Sequence, residues 1–377
     1  MIPLRAGGRV NGKAGKFTFG AINVQTGEDD KARIDAANFT VLRAKRDILR
    51  RSAVGAMFTH RTATPGRVGA NDGYGVDTNM SFYQNIRFDA YLAGTNSAGR
   101  AGNNLSYRGY FDYNADKFGA QVEHLAVEPN FLPEIGFVRR TDMRRNFGQL
   151  RYSARPIGFG SVRRMTTQAS LNYTTNTQNR LDTREGVGRF ETEFTNSDIA
   201  SLLYTDSFER LVRPFTIAPG VVLPVGSYDF HTTRLGYTAG QQRRASGELV
   251  YEFGPFYNGD RQTISLNSGR IQVTPQVSIE PSLSVNWVDL VQGSFTAKVV
   301  RTRGTYTITP RMFVSGILQY NSAGHSFGSN LRFRWEYRPG SELFVVYTDD
   351  FDTDAKPNME SLRNRAFVVK FNRLFRL

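Results

Sequence analysis

Cysteine is absent from the 377 residues, which removes disulfides, thiolate metal centres and cysteine nucleophiles at the outset. No stretch approaches the ~18 consecutive apolar residues that a membrane-crossing helix needs, so helical spans are excluded as well. Helical periodicity is missing from every long window, and Met1 is followed by neither a basic segment nor an apolar leader core. There is no G-x-S-x-G elbow, phosphate-binding loop or dinucleotide fingerprint. Linkers are lacking too, and without a Pro/Ser-rich tract or charge block the chain reads as one domain, 1–377. Acidic residues are the scarcer charge, 34 against 48 Lys and Arg, which leaves a formal charge of +14. Such a surplus ordinarily suggests nucleic acid. Here the basic residues recur segment after segment instead of gathering in a tail or patch, so nucleic acid is not expected as a partner.

Glycine is abundant (36), and so are phenylalanine (28) and tyrosine (17), a composition suited to many short strands joined by turns. A period of two runs through the chain. From Leu331 to Arg338, Leu331, Phe333, Trp335 and Tyr337 alternate with Arg332, Arg334, Glu336 and Arg338. Successive strand side chains point to opposite faces, so one face is apolar and the other charged. The pattern recurs where Leu105, Tyr107, Phe111 and Tyr113 alternate with Arg108 and Asp112, and where Leu249, Tyr251 and Phe253 alternate with Glu248 and Glu252. Strands are predicted at 2–10, 16–26, 38–47, 51–61, 73–83, 86–96, 103–114, 118–127, 143–154, 161–174, 186–195, 198–206, 228–239, 243–255, 261–274, 277–289, 294–308, 312–322, 326–338, 342–350 and 365–377. Many have the ~9–11 residues or slightly more that a tilted strand uses to cross a bilayer.

The expected fold class is therefore all-β, a transmembrane antiparallel up-and-down barrel of about 18–22 strands in a bacterial outer membrane. The mean hydropathy is negative, as such a barrel allows, because lipid-facing apolar residues are averaged with lumen-facing polar ones. Short Pro-containing turns, Thr274-Pro275-Gln276, Thr309-Pro310-Arg311 and Arg338-Pro339-Gly340, alternate with longer polar connections at 27–37, 61–72, 176–185 and 350–364. The short turns are assigned to the periplasm. An odd number of strands and the need for export lead to the expectation that further sequence, including an N-terminal strand, precedes residue 1. In the last strand Phe367, Val369, Phe371, Phe375 and Leu377 alternate with Arg365, Lys370, Asn372 and Arg376, in the manner of the terminal signal read by the barrel-assembly machinery.

Four stretches carry a resemblance: Val41–Asp47 (VLRAKRD), Asn130–Arg140 (NFLPEIGFVRR), Arg213–Gly220 (RPFTIAPG) and Trp335–Leu343 (WEYRPGSEL). Through them the chain resembles an uncharacterised family of outer-membrane barrels that carry an N-terminal carbohydrate-binding family 9-like (DOMON-like) domain. The resemblance implies a Gram-negative source, and a saccharide partner that would belong to the domain ahead of this barrel. No residue of the present chain inherits that recognition.

Candidate site residues follow from the charged face. Arg108, Arg151, Arg189, Glu191, Glu193, Glu248, Glu252, Arg301, Arg303, Arg332, Arg334, Glu336 and Lys370 are expected to line the lumen, together with Asp112 and Glu123. Two readings fit them. A basic lumen selects anions or hydroxyl-rich solutes, whereas a cross-strand ladder of ion pairs stiffens or fills the wall. Glu128–Arg145 is the most unusual connection, with Pro129, Phe131, Leu132, Pro133 and Ile135 beside Arg139, Arg140, Arg144 and Arg145. It reads either as a constriction folded into the lumen or as an outer cap whose arginines meet lipopolysaccharide phosphates. The prolines of Arg213–Gly226 suggest a rigid extended loop or hairpin. Tyr107, Tyr113, Trp287, Tyr306, Tyr320, Trp335 and Tyr337 fall near strand ends, where rings sit at lipid headgroups or, alternatively, stack on sugars. His60, His124, His231 and His325 show no metal-ligand spacing. No cofactor and no catalytic residue is expected, and the functional readings are a pore or transporter, a non-conducting anchor, or an outer-membrane hydrolase.

Overall fold

A computed structural model describes residues 3–29, 35–62, 69–354 and 361–375. Among them there is no helix, and none long and apolar enough to cross a membrane. In chain order the strands are β1 (Leu4–Ala14), β2 (Phe17–Thr26), β3 (Asn38–Leu49), β4 (Ser52–Arg61), β5 (Asn71–Phe82), β6 (Ile86–Ser97), β7 (Leu105–Asn114), β8 (Phe118–Val127), β9 (Met143–Ala154), β10 (Val162–Thr175), β11 (Leu181–Phe194) and β12 (Ile199–Leu211). They continue as β13 (Phe215–Ala218), β14 (Val221–Leu223), β15 (Gly226–Ala239), β16 (Ala245–Phe256), β17 (Gly259–Gln272), β18 (Val277–Leu290), β19 (Gly293–Thr309), β20 (Met312–Asn321), β21 (Ser326–Arg338), β22 (Ser341–Asp352) and β23 (Leu362–Asn372). Twenty-one of them form one sheet, and β13 and β14 form a separate hairpin. Each of β1 to β8 pairs antiparallel with its successor, as does each of β15 to β22. No ladder joins β1 to β23 among the described residues.

Contacts gather in two units, Met1–Ser153 with Gln168–Gly186 and Phe208–Arg210, and Ala154–Thr167 with Val187–Ser207 and Leu211–Leu377. In the first unit, β1–β9 meander through short turns at Gly15-Lys16, Arg50-Arg51 and Tyr83–Asn85, alternating with longer connections. In the second unit the Pro-containing turns reverse the chain at the predicted places. Gly340 sits at φ +77°, a left-handed conformation that an L side chain resists. Gly259 is fixed for a different reason, since a Cβ there would lie 1.9 Å from the carbonyl oxygen of Asp289.

Protein-on-protein burial is sparse and local. In the second unit Leu211, Val221, Leu223, Val288 and Leu290 form a buried cluster beneath the β13–β14 hairpin, flanked by Tyr228, Phe256, Tyr257 and Phe295. Leu223 is fully buried, a contribution of about 2 kcal/mol at ordinary transfer energies. The rings of Phe256 and Tyr257 meet edge-on at 4.8 Å between centroids. Of the rigid extended loop or hairpin expected of Arg213–Gly226, the structure has the hairpin.

Four boundaries differ from expectation by more than three residues. β1 continues to Ala14 and β12 to Leu211, both beyond their predicted ends, while β11 starts at Leu181 instead of 186. Leu181–Glu185 carries polar residues on both faces, so alternation gives no signal there, and the backbone ladder alone makes it a strand. The last strand stops at Asn372, leaving Phe375 beyond it, and Leu377 lies outside the described residues. Arg144 and Arg145 belong to β9, not to the connection before it.

Candidate functional site

Directly paired residues of an antiparallel ladder share a face, so the registers sort the charged residues. Arg301 pairs with Ser282 and Gln319, Arg303 with Glu280 and Ile317, Arg332 with Ser315 and Val346, and Arg334 with Phe313 and Phe344, while Lys370 also pairs with Phe344. All five basic residues therefore occupy one face of β18–β23. Trp287, Tyr306, Tyr320 and Trp335 alternate with them and take the other, where Tyr337 stacks on Phe371 at 5.2 Å. In β7–β9, Arg108 and Arg145 both pair with Leu125 on one face, and Tyr107, Phe111 and Tyr113 pair with Ala126, Val122 and Ala120 on the opposite face.

Most of the polar face is neutralised internally. Glu123, almost wholly buried, accepts from Arg108 Nε at 2.7 Å and from Arg145. Arg234 reaches Glu248 at 2.8 Å, Arg334 Nε reaches Glu342 at 3.0 Å, Arg163 reaches Glu193 at 2.9 Å, and Arg261 and Arg189 pair with Glu252 and Glu191. Arg303 stands 3.8 Å from Glu280. Two residues turn back on local backbone. Arg151 donates to the carbonyl of Asp116 (3.2 Å), and Glu336 accepts the N–H of Gly340 (3.0 Å). Arg332 lies over the Phe344 ring at 5.7 Å. Among the described residues Arg301, Arg332 and Lys370 take part in no salt bridge.

The β8–β9 connection is folded, and it lies over the polar face of its own unit. Phe131 is buried. Asn71 Nδ2 donates to the carbonyl of Leu132 (2.8 Å) while Asn71 Oδ1 accepts the N–H of Glu134 (3.2 Å), and Leu132 N–H donates to Thr95 Oγ1 (3.0 Å). The Glu134 carboxylate is paired with buried Arg61. Farther along, Arg140 meets Asp182, which Arg210 also holds. The hydroxyl of Thr177, followed by its backbone N–H (3.0 Å), keeps the Asp142 carboxyl below the usual carboxylate range. A cavity of about 870 Å³ lies beneath the connection, between Pro133, Ile135, Val138 and Arg139 above and Met57, Asp77, Tyr91, Leu125 and Arg145 on the strands.

Sequence reasoning marked Phe131, Pro133, Ile135, Arg139 and Arg140, and the structure brings them together. It missed Arg61, Asn71, Thr95 and Asp182, which anchor them. These are polar residues at strand ends, where solvent is the ordinary neighbour, and nothing local distinguishes them from rim residues. The four histidines are dispersed. His60 is bound to Asp72 (2.6 Å), His124 to Asn146 (2.7 Å) and His325 to Asp354 (2.8 Å), while His231 lies beside the Tyr204 ring. Among the described residues no three His, Asp or Glu converge as metal ligands would. No protein-family model matches the chain, and no curated protein does.

Proposed function

We propose that the chain forms an outer-membrane β-barrel in which the sheet closes on itself and the polar face lines a pore favouring anionic or hydroxyl-rich solutes, saccharides included. The observation that carries this reading is the run of exposed large apolar side chains on the face opposite the arginines. Leu331 is 51% exposed, Trp335 44%, Phe111 39% and Val122 58%. Water-soluble monomers rarely leave contiguous apolar patches larger than a few hundred Å², whereas acyl chains would cover this surface at no cost. Outer-membrane lipid, lipopolysaccharide and the barrel-assembly machinery are the partners this reading implies. The resemblance to barrels that carry a carbohydrate-binding domain supports the saccharide part.

Solute preference is assigned to Arg301, Arg303, Arg332, Arg334 and Lys370, which share one face and of which Arg301, Arg332 and Lys370 form no salt bridge among the described residues. A planar-bilayer recording of the refolded chain should show discrete, anion-preferring steps. Replacing Arg301, Arg303, Arg332 and Arg334 together by Glu should move the reversal potential to the cation side. Conductance with unchanged selectivity would remove these residues from the solute path. A second reading, a non-conducting barrel that anchors another domain, is favoured by the internal pairing of Glu123, Glu248 and Glu252 and by the folded β8–β9 connection. Electrical silence from protein that is folded in the bilayer would select it.

A further inference from the structure

The cavity under the β8–β9 connection differs from the rest of the polar face. In it Met57, Leu125, Val127 and Met143 point to the same side as Arg108 and Glu123 and gather under one folded connection. Val127 is buried, as is Phe131 above it. The lining is therefore mainly apolar, with a volume of about 870 Å³, within the range of small-molecule sites. Four arginines border it against one carboxylate. Arg43 is held by Asp77 (2.8 Å), Arg140 by Asp182 and Arg145 by Glu123. Arg139 is exposed and forms no salt bridge among the described residues. Two further polar atoms in the lining residues, Arg145 Nε and Asn172 Oδ1, are buried without a hydrogen-bond partner. Buried donors are normally satisfied, so Arg145 Nε marks where a bound acceptor would supply the missing contact; Asn172 Oδ1, itself an acceptor, would need a donor.

We infer that this cavity binds a small carboxylate with an apolar body, its hydrocarbon part against Leu125, Val127, Phe131 and Ile135 and its carboxylate at Arg139 and Arg145. A neutral apolar molecule would leave Arg139 without a counter-ion, and a sugar would leave the apolar wall poorly used. The site does not depend on an open pore, and its test uses no conductance.

The full chain in lipid nanodiscs should be titrated with 3-(4-fluorophenyl)propionate and followed by fluorine NMR, with protein-free discs subtracted. Its uncharged amide serves as comparator. The acid should bind saturably and the amide about tenfold more weakly, the loss of one good charge-assisted contact. Arg139→Gln, on an exposed side chain, should reproduce that loss for the acid while leaving the amide unchanged. Ile135→Asp should weaken both. A channel that conducts yet shows no saturable binding would overturn the proposal and leave the pore reading standing. Equal affinities for acid and amide, or an Arg139→Gln variant that binds the acid as the parent does, would overturn it equally.

Discussion

At the scale of single residues, Asp198 shows how much a turn can demand of one side chain. It sits before β12, almost completely buried, and accepts the N–H of Gly240 (2.8 Å), the hydroxyl of Tyr237 (2.7 Å) and the guanidinium of Arg243 (2.6 Å). These donors, the Gly240 N–H foremost, pull its pKa down to about 2, and the same contact raises that of Arg243. A carboxyl whose folded pKa lies below its unfolded value of about 3.9 stabilises the fold fully above that value and loses the contribution as pH falls toward the folded one. Asp198→Asn should therefore melt below the parent at neutral pH, by a margin that is constant down to about pH 4.5 and vanishes near pH 2. A margin undiminished at pH 2 would show that charge is not what the turn uses. The role of Asp198 was not legible in the sequence. Its partners come about forty residues later, and a carboxylate at a turn looks like any solvated one.

Individual elements give two further tests. Along β21, Arg332 and Phe333 should face opposite environments, and the natural lack of cysteine makes the comparison clean. In membranes, Arg332→Cys should react with a membrane-impermeant charged thiol reagent, and Phe333→Cys should react only with a lipid-soluble maleimide. Equal labelling of both by the charged reagent would mean that both faces are wet. The second element is the β8–β9 connection. Glu134→Ala leaves Arg61 buried without its ion partner, which ordinarily costs 3–5 kcal/mol. About 3 kcal/mol is expected here, because Arg61 still donates to the carbonyls of Thr62 and Gly69. The connection should loosen, so that trypsin cuts after Arg139 or Arg140 at a concentration that leaves the parent intact. An unchanged digestion pattern would mean that the remaining ties, through Asn71, Thr95, Asp182 and Thr177, hold the segment without the Arg61 pair. Strand positions were legible because the period of two is a local signal: the chain predicts twenty-one strands, and twenty-one share the sheet. The path of the connection was not, because proline and apolar residues announce structure without saying which strand ends will receive it.

For the whole molecule, the decisive property is where apolar surface goes. Leu150, Val122, Leu249 and Phe367 are more than half exposed, and no described segment covers them. The chain should refold from urea into detergent micelles or bilayers, giving a compact band of altered mobility without boiling, and should aggregate when the same dilution is made into buffer alone. A monodisperse folded species in detergent-free buffer would contradict the proposed setting. The β13–β14 hairpin obeys a different rule from the rest of the sheet. Its Val221 and Leu223 are shielded by other side chains, so unfolding it delivers them to water and raises the heat capacity. In the proposed membrane setting, residues that face acyl chains would stay among hydrocarbon until the protein left the bilayer. Cooling weakens burial of the first kind, and in that setting it is therefore at this hairpin, not along the exposed apolar face of the large sheet, that the molecule will be most sensitive to cold.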